Sequence, residues 1–157
     1  MKLVLVGTGY VGLVSGSCFA EFGYEVICVD KDEFRISELK KGKCPFFEPG
    51  IEELLSKHRD QTKLLSFTSS LTEAMEGADI IFITVGTPSK RLEEDADLSA
   101  VWNVAKDIAN NIKKYTLVVT KSTVPVGTTQ EIKKIISKIV PKENFDVVSN
   151  PEFLREG

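Results

Sequence analysis

The sequence lacks an apolar run of about 18 residues, the length that a helix needs to cross a bilayer. Its first residues show no succession of charged, apolar and cleavage regions, so no signal peptide is indicated. Its 20 Lys and Arg residues, against 23 Asp and Glu, are dispersed rather than clustered. Because a basic patch is the electrostatic signature of nucleic-acid and anionic-membrane binding, we expect neither partner. We expect a cytoplasmic protein.

Cysteine and histidine are also scarce. The three cysteines, Cys18, Cys28 and Cys44, are an odd number without CxxC spacing, so we expect reduced thiols and no metal site. Cys18 and Cys28 lie in apolar stretches and are predicted to be buried packing residues, whereas the environment of Cys44 is left open. The only histidine, His58, stands at the polar end of a predicted helix. We expect it at the surface and not as a catalytic base.

The composition is that of one globular domain. With 157 residues, 42% of them hydrophobic and 27% charged, the chain can bury a core but has no room for a separate substrate domain. A single domain over residues 1–157 is therefore predicted.

Short apolar runs alternate with segments of helical composition along the whole chain. Strands are predicted at 2–6, 25–30, from Leu64, at 79–85, from Thr116 and from Phe145. Helices are predicted at 11–22, 32–40, 50–58, 70–76, 98–112 and 128–139. Within 98–112, helical spacing is shown by Ala100, Val104, Ile108 and Ile112. Such alternation predicts an α/β fold, a doubly wound and mostly parallel six-stranded sheet with helices on both faces.

A glycine motif, GTGYVG, joins the first strand to the first helix. Gly7 can make the tight turn, Gly9 can let the backbone approach a pyrophosphate, and Gly12 can allow close packing of helix and strand. The helix N-terminus offers N–H groups and a positive dipole end to phosphates. A purely structural glycine turn is the alternative, but this position in the chain favours a dinucleotide-binding Rossmann domain.

An acid, Asp30, closes the second strand, near the spacing of about 20 residues expected for a ribose-binding carboxylate. A carboxylate there accepts a hydrogen bond from a ribose 2′-hydroxyl and repels a 2′-phosphate. NAD is therefore predicted over NADP, although Lys31 and Arg35 soften the discrimination. The alternative is an Asp that caps the following helix without a ligand.

The other strand ends carry their polar residues to the same edge, where open parallel sheets bind ligands. TVGTP, 84–88, follows the fourth strand, KSTVP, 121–125, the fifth, and NPE, 150–152, the sixth. Pro151 restricts Asn150 to an extended conformation, so the chain runs out over the crevice with Glu152. The alternative for Glu152 is a turn cap. The acidic run 93–97 is interpreted as a solvated loop rather than a metal site.

Six motifs in order resemble the NAD-binding domain of the UDP-glucose/GDP-mannose dehydrogenase family. They are VGTGYVGLVSG from Val6, VDKDEFRI from Val29, FEPGIEELL from Phe47, ITVGTPS from Ile83, KSTVPVGTT from Lys121 and SNPEFLREG from Ser149. The resemblance covers the whole chain. The segment ADLSAV favours members that act on UDP-glucose over relatives that act on GDP-mannose or UDP-N-acetylsugars.

The resemblance implies an oxidoreductase that converts UDP-glucose to UDP-glucuronate with two NAD, through an aldehyde and a cysteine-linked thioester, in polysaccharide biosynthesis. It implies NAD contacts from Gly7, Thr8, Gly9, Tyr10, Val11, Gly12, Asp30, Arg35, Thr84, Gly86, Thr87, Pro88, Ser122 or Thr123, and Glu156. Glu152 would be the acid/base residue that, with Thr123, handles the water of thioester hydrolysis. The nucleotide sugar would lie along Glu152, Phe153, Leu154 and Arg155.

Family members continue into a central helix and a UDP-sugar-binding domain that carries the nucleophilic cysteine and a catalytic lysine. None of the three cysteines here matches that nucleophile, so the chain alone is expected to be inactive and the full-length enzyme to be a homo-oligomer. Two other classes stay open, a non-enzymatic NAD-sensing module and a different dehydrogenase. Against the latter, no YxxxK pair begins at Tyr10, Tyr24 or Tyr115.

Overall fold

The computed structural model describes residues 1–88 and 96–153. In these ranges, six parallel strands form one sheet in the order β3-β2-β1-β4-β5-β6. The strands are β1 (Lys2–Val6), β2 (Glu25–Val29), β3 (Leu65–Thr68), β4 (Ile80–Ile83), β5 (Thr116–Thr120) and β6 (Phe145–Ser149). The predicted doubly wound fold is confirmed, and the strand order reverses between β1 and β4.

The helices are α1 (Tyr10–Glu21), α2 (Glu33–Lys40), α3 (Ile51–Ser56), α4 (Leu71–Met75), α5 (Ser99–Asn111) and α6 (Thr128–Ser137). A π-helical turn, Lys57–Gln61, continues α3, and a 3-10 turn, Lys142–Asn144, precedes β6. Every predicted helix is present with shifted ends, whereas the two turns were not predicted. None of the described helices combines the length and apolar character needed to span a bilayer.

The core consists of two apolar clusters, one on each face of the sheet. Because successive side chains of a strand point to opposite faces, Leu3 and Leu5 of β1 join one cluster while Val4 and Val6 join the other. Helices α1, α2 and α3 cover the first cluster, and α4, α5 and α6 cover the second. The central strands are therefore buried on both sides, which explains why their sequences are continuously apolar.

Helix α5 is present as predicted, but its most buried residues are not the apolar residues whose spacing predicted the helix, apart from Ile108. The buried residues are Val101, Ala105, Ile108 and Ala109. Ala100 and Val104 are only partly buried, because they line a cavity at the carboxyl edge of the sheet.

The prediction of a surface position for His58 is wrong, because the residue is buried, with 2% of it exposed. Its Nε2 lies 2.6 Å from Glu21 Oε2 and its Nδ1 lies 3.0 Å from Thr62 Oγ1. A π-helical turn is wider than an α-turn, so side chains beyond Ser56 are displaced around the axis relative to a regular helix. Hydrogen bonds from Lys57 and from His58 hold the pKa of the Glu21 carboxyl below its ordinary value.

The prediction of a buried side chain is also wrong for Cys18, which is exposed. Helix α1 is built from small and apolar residues on every side, so its composition does not show which face meets the sheet. Cys28 is buried as predicted, and burial raises the pKa of its thiol to about 12. Cys44 is partly buried.

Candidate functional site

A cavity of about 810 Å³ opens at the carboxyl edge of the sheet, where the strand order reverses. Its walls come from the glycine turn after β1, the ends of β2, β3 and β4, and one face of α5. The volume lies within the range of about 300–1,000 Å³ that is usual for small-molecule sites. Sheet topology therefore places a ligand-sized space where doubly wound folds bind their ligands.

The glycine turn has the geometry that a close backbone approach requires. Gly7 has a φ of +110°, and a Cβ there would lie 2.7 Å from the Thr84 carbonyl oxygen. A Cβ on Gly12 would lie 1.9 Å from the Gly7 carbonyl oxygen. At Gly9, by contrast, no heavy atom of the described residues lies within 4 Å of such a Cβ, apart from its chain neighbours, and Gly9 lines the cavity. Close packing therefore requires glycine at Gly7 and Gly12, whereas the absence of a side chain at Gly9 leaves open space in the cavity.

This turn fits a pyrophosphate. Gly9 is the N-cap of α1, and no described side chain caps that helix. The first N–H groups of a helix lack acceptors within the helix, so an anion beside Gly9 would receive backbone donors and the positive end of the dipole. The Tyr10 side chain turns elsewhere, since its hydroxyl donates to Glu48 Oε2 and its ring packs on Phe46 at 5.0 Å. Val11 is half-buried.

The carboxylate of Asp30 lines the same cavity and is held by several donors. Its Oδ2 accepts from the Thr8 N–H and the Thr8 hydroxyl, both at 2.8 Å, and its Oδ1 accepts from the Asp32 N–H at 3.1 Å. Arg35 Nη1 lies 3.5 Å from Oδ2. Burial alone raises the pKa of Asp30, but the hydrogen bonds from Thr8 and Asp32 and the Arg35 cation outweigh it, so the pKa is lowered.

Asp30 is not the residue that caps the following helix, which was the alternative to a ribose-binding role. Asp32 is the N-cap of α2 and accepts from the Arg35 N–H at 2.9 Å. Asp30 therefore remains a candidate for the ribose. A carboxylate oxygen has two lone pairs, and Oδ1 accepts from the Asp32 N–H, so it retains capacity for a ribose hydroxyl.

Hydroxyl groups at the strand ends tie neighbouring loops together. Thr84 donates to the carbonyl oxygens of Val6 and Gly7, both at 2.9 Å, and Thr87 donates to the Thr123 carbonyl at 3.1 Å. Ser122 is buried and donates to the Val85 carbonyl at 2.7 Å. Thr123 is exposed. Of the two residues left open by the sequence, Thr123 is thus the one whose side chain is accessible.

The sixth strand brings its end to the same edge. The Asn150 N–H donates to the Thr120 carbonyl at 2.9 Å, and Lys121 Nζ donates to Asn150 Oδ1 at 3.3 Å. Glu152 follows half-buried, and Phe153 is 90% exposed. The remaining predicted residues Leu154, Arg155 and Glu156 lie outside the described residues, as does part of the acidic run, residues 93–95.

The structure brings together some, but not all, of the predicted residues in the described cavity. Its walls include Gly7, Gly9, Asp30, Arg35, Thr84 and Gly86. Outside those walls, but on the loops after β4, β5 and β6, are Thr87, Pro88, Ser122, Thr123, Glu152 and Phe153. Gly86 and Pro88 are exposed.

Sequence reasoning missed wall residues on two elements. Ser69 and Leu71 follow β3, and the strand-end rule applied to that strand could have found them. Asn103 and Asp107 of α5 also line the cavity, together with Ala100 and Val104. Helical spacing identifies an apolar stripe but does not tell a core face from a cleft face, so no signal pointed to these positions.

Comparison with known proteins gives consistent relatives. UDP-glucose 6-dehydrogenase from Rhizobium meliloti is 54% identical over 157 residues, 100% of this chain and 36% of that protein. UDP-glucose 6-dehydrogenase TuaD from Bacillus subtilis is 49% identical over 158 residues, 99% of this chain and 34% of that protein. The chain thus spans about a third of the length of these curated relatives.

Solved structures agree with the fold. A ternary complex of GDP-mannose dehydrogenase from Pseudomonas aeruginosa has a TM-score of 0.93 at 40% identity, with 99% of this chain and 37% of that chain covered. A UDP-glucose dehydrogenase from Pyrobaculum islandicum has a TM-score of 0.92 at 38% identity, with the same coverage of 99% and 37%. Residues 1–157 match the description "UDP-glucose/GDP-mannose dehydrogenase family, NAD binding domain". The chain belongs to the UDP-glucose/GDP-mannose dehydrogenase family and is its NAD-binding domain.

Proposed function

We propose that the chain is the NAD-binding domain of a UDP-glucose 6-dehydrogenase, which oxidises UDP-glucose to UDP-glucuronate. The main support is the cavity between β1 and β4, where the strand order reverses. Its lining includes both the open glycine turn at Gly9 and the Asp30 carboxylate, which is fixed by hydrogen bonds and placed to bind a ribose. The identity of 54% and 49% to two UDP-glucose 6-dehydrogenases supports the choice of substrate. In this proposal the full-length enzyme is a cytoplasmic homo-oligomer without a nucleic-acid or membrane partner. The dispersed Lys and Arg residues of this chain support only the expectation that it binds neither nucleic acid nor an anionic membrane.

The cofactor is oriented by three parts of the cavity. The backbone at Gly9 and the start of α1 hold the pyrophosphate, Asp30 Oδ1 accepts from the adenosine ribose, and apolar wall residues Leu71 and Val104 contact the adenine. Bound NAD supplies a hydride acceptor. Thr87, Ser122 or Thr123, on the loops after β4 and β5, and Glu156, which lies outside the described residues, would hold the nicotinamide end.

The reacting sugar lies at the ends of β5 and β6. Glu152 exchanges the protons of oxidation and thioester hydrolysis, and the accessible Thr123 hydroxyl helps to hold the attacking water. Phe153 borders the sugar, with Leu154 and Arg155 following it. Oxidation of an alcohol to a carboxylate removes four electrons, two with each hydride transferred to NAD. In this proposal a cysteine thiol outside this chain adds to the aldehyde, the second hydride transfer converts the adduct to a thioester, and water then releases the carboxylate and the thiol.

The cysteines of this chain do not suit that nucleophilic role. Cys28 is a fully buried residue of β2, Cys18 lies late in α1 towards the opposite edge of the sheet, and Cys44 is in the loop after α2. Residues 1–157 produced alone should therefore bind NAD yet form no UDP-glucuronate. Steady NADH formation by this segment, free of other dehydrogenases, would place the chemistry elsewhere.

The catalytic part of the proposal is tested in the full-length protein with Glu152→Gln, which keeps the shape of the side chain and removes proton transfer. Turnover should fall about 10² to 10⁴ fold with NAD affinity nearly unchanged, and rapid-quench kinetics should show a thioester accumulating. The matched control is Glu143→Gln, an exposed glutamate in the 3-10 turn before β6, which should turn over normally. Normal turnover by Glu152→Gln, or joint loss of NAD binding and activity, would contradict the role.

A related nucleotide sugar is the second candidate, because the GDP-mannose dehydrogenase structure is 40% identical to the chain over the aligned part, which covers 37% of that protein. A substrate panel of UDP-glucose, GDP-mannose and UDP-N-acetylmannosamine, scored by kcat/KM for NADH formation, separates the two. We expect UDP-glucose to give the highest value. NAD binding without turnover of any sugar would instead favour a sensing module.

A further inference from the structure

The Thr8 side chain, in the glycine turn, makes a hydrogen bond to Asp30 that the turn does not need for its own conformation. Thr8 is fully buried, and both its N–H and its hydroxyl donate to the same oxygen, Oδ2 of Asp30, at 2.8 Å. Every residue but proline would supply the N–H at this position, but only a hydroxyl residue supplies the second bond. Because the side chain is buried, it cannot itself contact a ligand in the cavity.

We propose that the Thr8 hydroxyl is a positioning group that fixes the Asp30 carboxylate and thereby sets the preference for NAD over NADP. This proposal depends on the proposed binding of NAD in the cavity. Two donors on Oδ2, with the Asp32 N–H on Oδ1, hold the carboxylate in one orientation. The capacity that remains on Oδ1 is then presented to a ribose hydroxyl.

The cations beside Asp30 explain why its orientation matters for selectivity. Arg35 Nη1 lies 3.5 Å from Asp30 Oδ2, and both Arg35 and Lys31 line the cavity. While the carboxylate is held in place, it neutralises the guanidinium and repels a 2′-phosphate. If the carboxylate turns away, the two cations meet a 2′-phosphate without opposition, and guanidinium groups bind phosphate well. Selectivity is a difference between two affinities, and Thr8 acts on both of them.

The experiment compares Thr8→Val with wild type in the full-length enzyme, by calorimetry with NAD and NADP and by steady-state kinetics with each. Valine keeps the buried volume and the N–H but removes the hydroxyl. The ratio of NADP to NAD dissociation constants should fall about tenfold, and the ratio of the KM values for the two dinucleotides should fall with it. Thr8→Ser, which restores the hydroxyl, should return the ratio to the wild-type value.

Two further variants separate positioning from a general loss of stability. Thr116→Val removes a buried hydroxyl at the opposite edge of the sheet, where it donates to the Lys114 carbonyl, and should leave the ratio unchanged. In an Asp30→Asn background, Thr8→Val should cause little further change, because its effect passes through the carboxylate. If Thr8→Val folds poorly, Thr8→Ala provides the same comparison.

Each outcome has a distinct meaning. A wild-type ratio in Thr8→Val, a failure of Thr8→Ser to rescue, or an equal effect of Thr116→Val would overturn the role of Thr8 while leaving the cofactor site intact. If wild type shows no preference between the dinucleotides, or binds neither, the assignment of Asp30 and the proposed cofactor site fail instead.

Discussion

The two glycines at the start of α1 offer a sharp test, because the same substitution should affect different properties at each. A Cβ on Gly12 would lie 1.9 Å from the Gly7 carbonyl oxygen and 2.7 Å from Thr84 Oγ1. A Cβ on Gly9 would meet no described atom within 4 Å, chain neighbours aside, and Gly9 has φ −71° and ψ −171°, which alanine adopts readily. Gly12→Ala should damage the fold, whereas Gly9→Ala should damage cofactor binding.

The magnitudes follow from what the added methyl meets. In Gly12→Ala the obstacle is backbone, which cannot rotate away, so the cost should reach the upper part of the overpacking range, about 3 kcal/mol. For a domain of this size that corresponds to a fall in Tm of about 6 to 12 °C. Gly9→Ala restricts the unfolded chain and should stabilise by about 0.4 to 1 kcal/mol. Its methyl occupies the approach to the pyrophosphate, and loss of one charge-assisted hydrogen bond weakens binding about 10- to 100-fold.

The assay measures both properties of both variants in the 157-residue chain. Circular dichroism gives the Tm, and titration calorimetry gives the Kd for NAD at a temperature where each variant is folded. A Gly9→Ala variant with the Kd of wild type would show that the phosphates do not approach this turn. A Gly12→Ala variant with the Tm of wild type would show that the close packing of α1 against the turn is not required.

Three smaller predictions concern buried groups. Among the described residues the buried Thr120 hydroxyl has no hydrogen-bond partner, so Thr120→Val should raise the free energy of unfolding by about 1 kcal/mol; a lower denaturant midpoint would reveal a partner. In native protein iodoacetamide should modify exposed Cys18 but not Cys28, whose thiol is buried with a pKa of about 12; mass spectrometry that finds both labelled equally would contradict this. The pKa of Asp30 is lowered in the folded state, so its stabilisation is present above the ordinary pKa of about 3.9 and is lost as pH falls through the folded value. Asp30→Asn should therefore flatten the acid limb of stability against pH, and an unchanged slope would refute the assignment.

Features that depend on neighbouring residues were readily predicted from sequence. The apolar run of β1 and the glycines after it are local patterns, so the strand, the turn and the helix that follows were assigned correctly. The position of Asp30 also follows from local order, because a residue that ends a parallel strand lies at the ligand edge of the sheet whichever strands are its neighbours.

The burial of a side chain and its hydrogen-bond partners depend on the direction in which it points, and local sequence patterns did not predict these features. His58 is buried within a π-helical turn, and nothing in the local pattern marks that turn or the face on which His58 lies. A hydroxyl at a strand end indicates a polar edge, but the sequence does not show that those of Thr84 and Ser122 bind neighbouring carbonyls. The hydroxyls of Thr84 and Ser122, two residues predicted to contact NAD, thus hold the loops that form the site, and the contacts of these two residues with NAD stay a prediction.

The cleft face of α5 provides the last test, since it was found only in the structure. Val104 lines the cavity and is partly buried, whereas Val101 is fully buried in the core beneath the same helix. Val104→Phe should fill part of the space for the cofactor, weakening NAD binding at least about tenfold while the Tm stays within a few degrees. Val101→Phe overpacks the core and should cost about 1 to 3 kcal/mol of stability, with NAD affinity retained where the variant is folded. If Val104→Phe binds NAD like wild type, or if the two variants lose stability equally, the cavity wall on α5 is wrongly assigned.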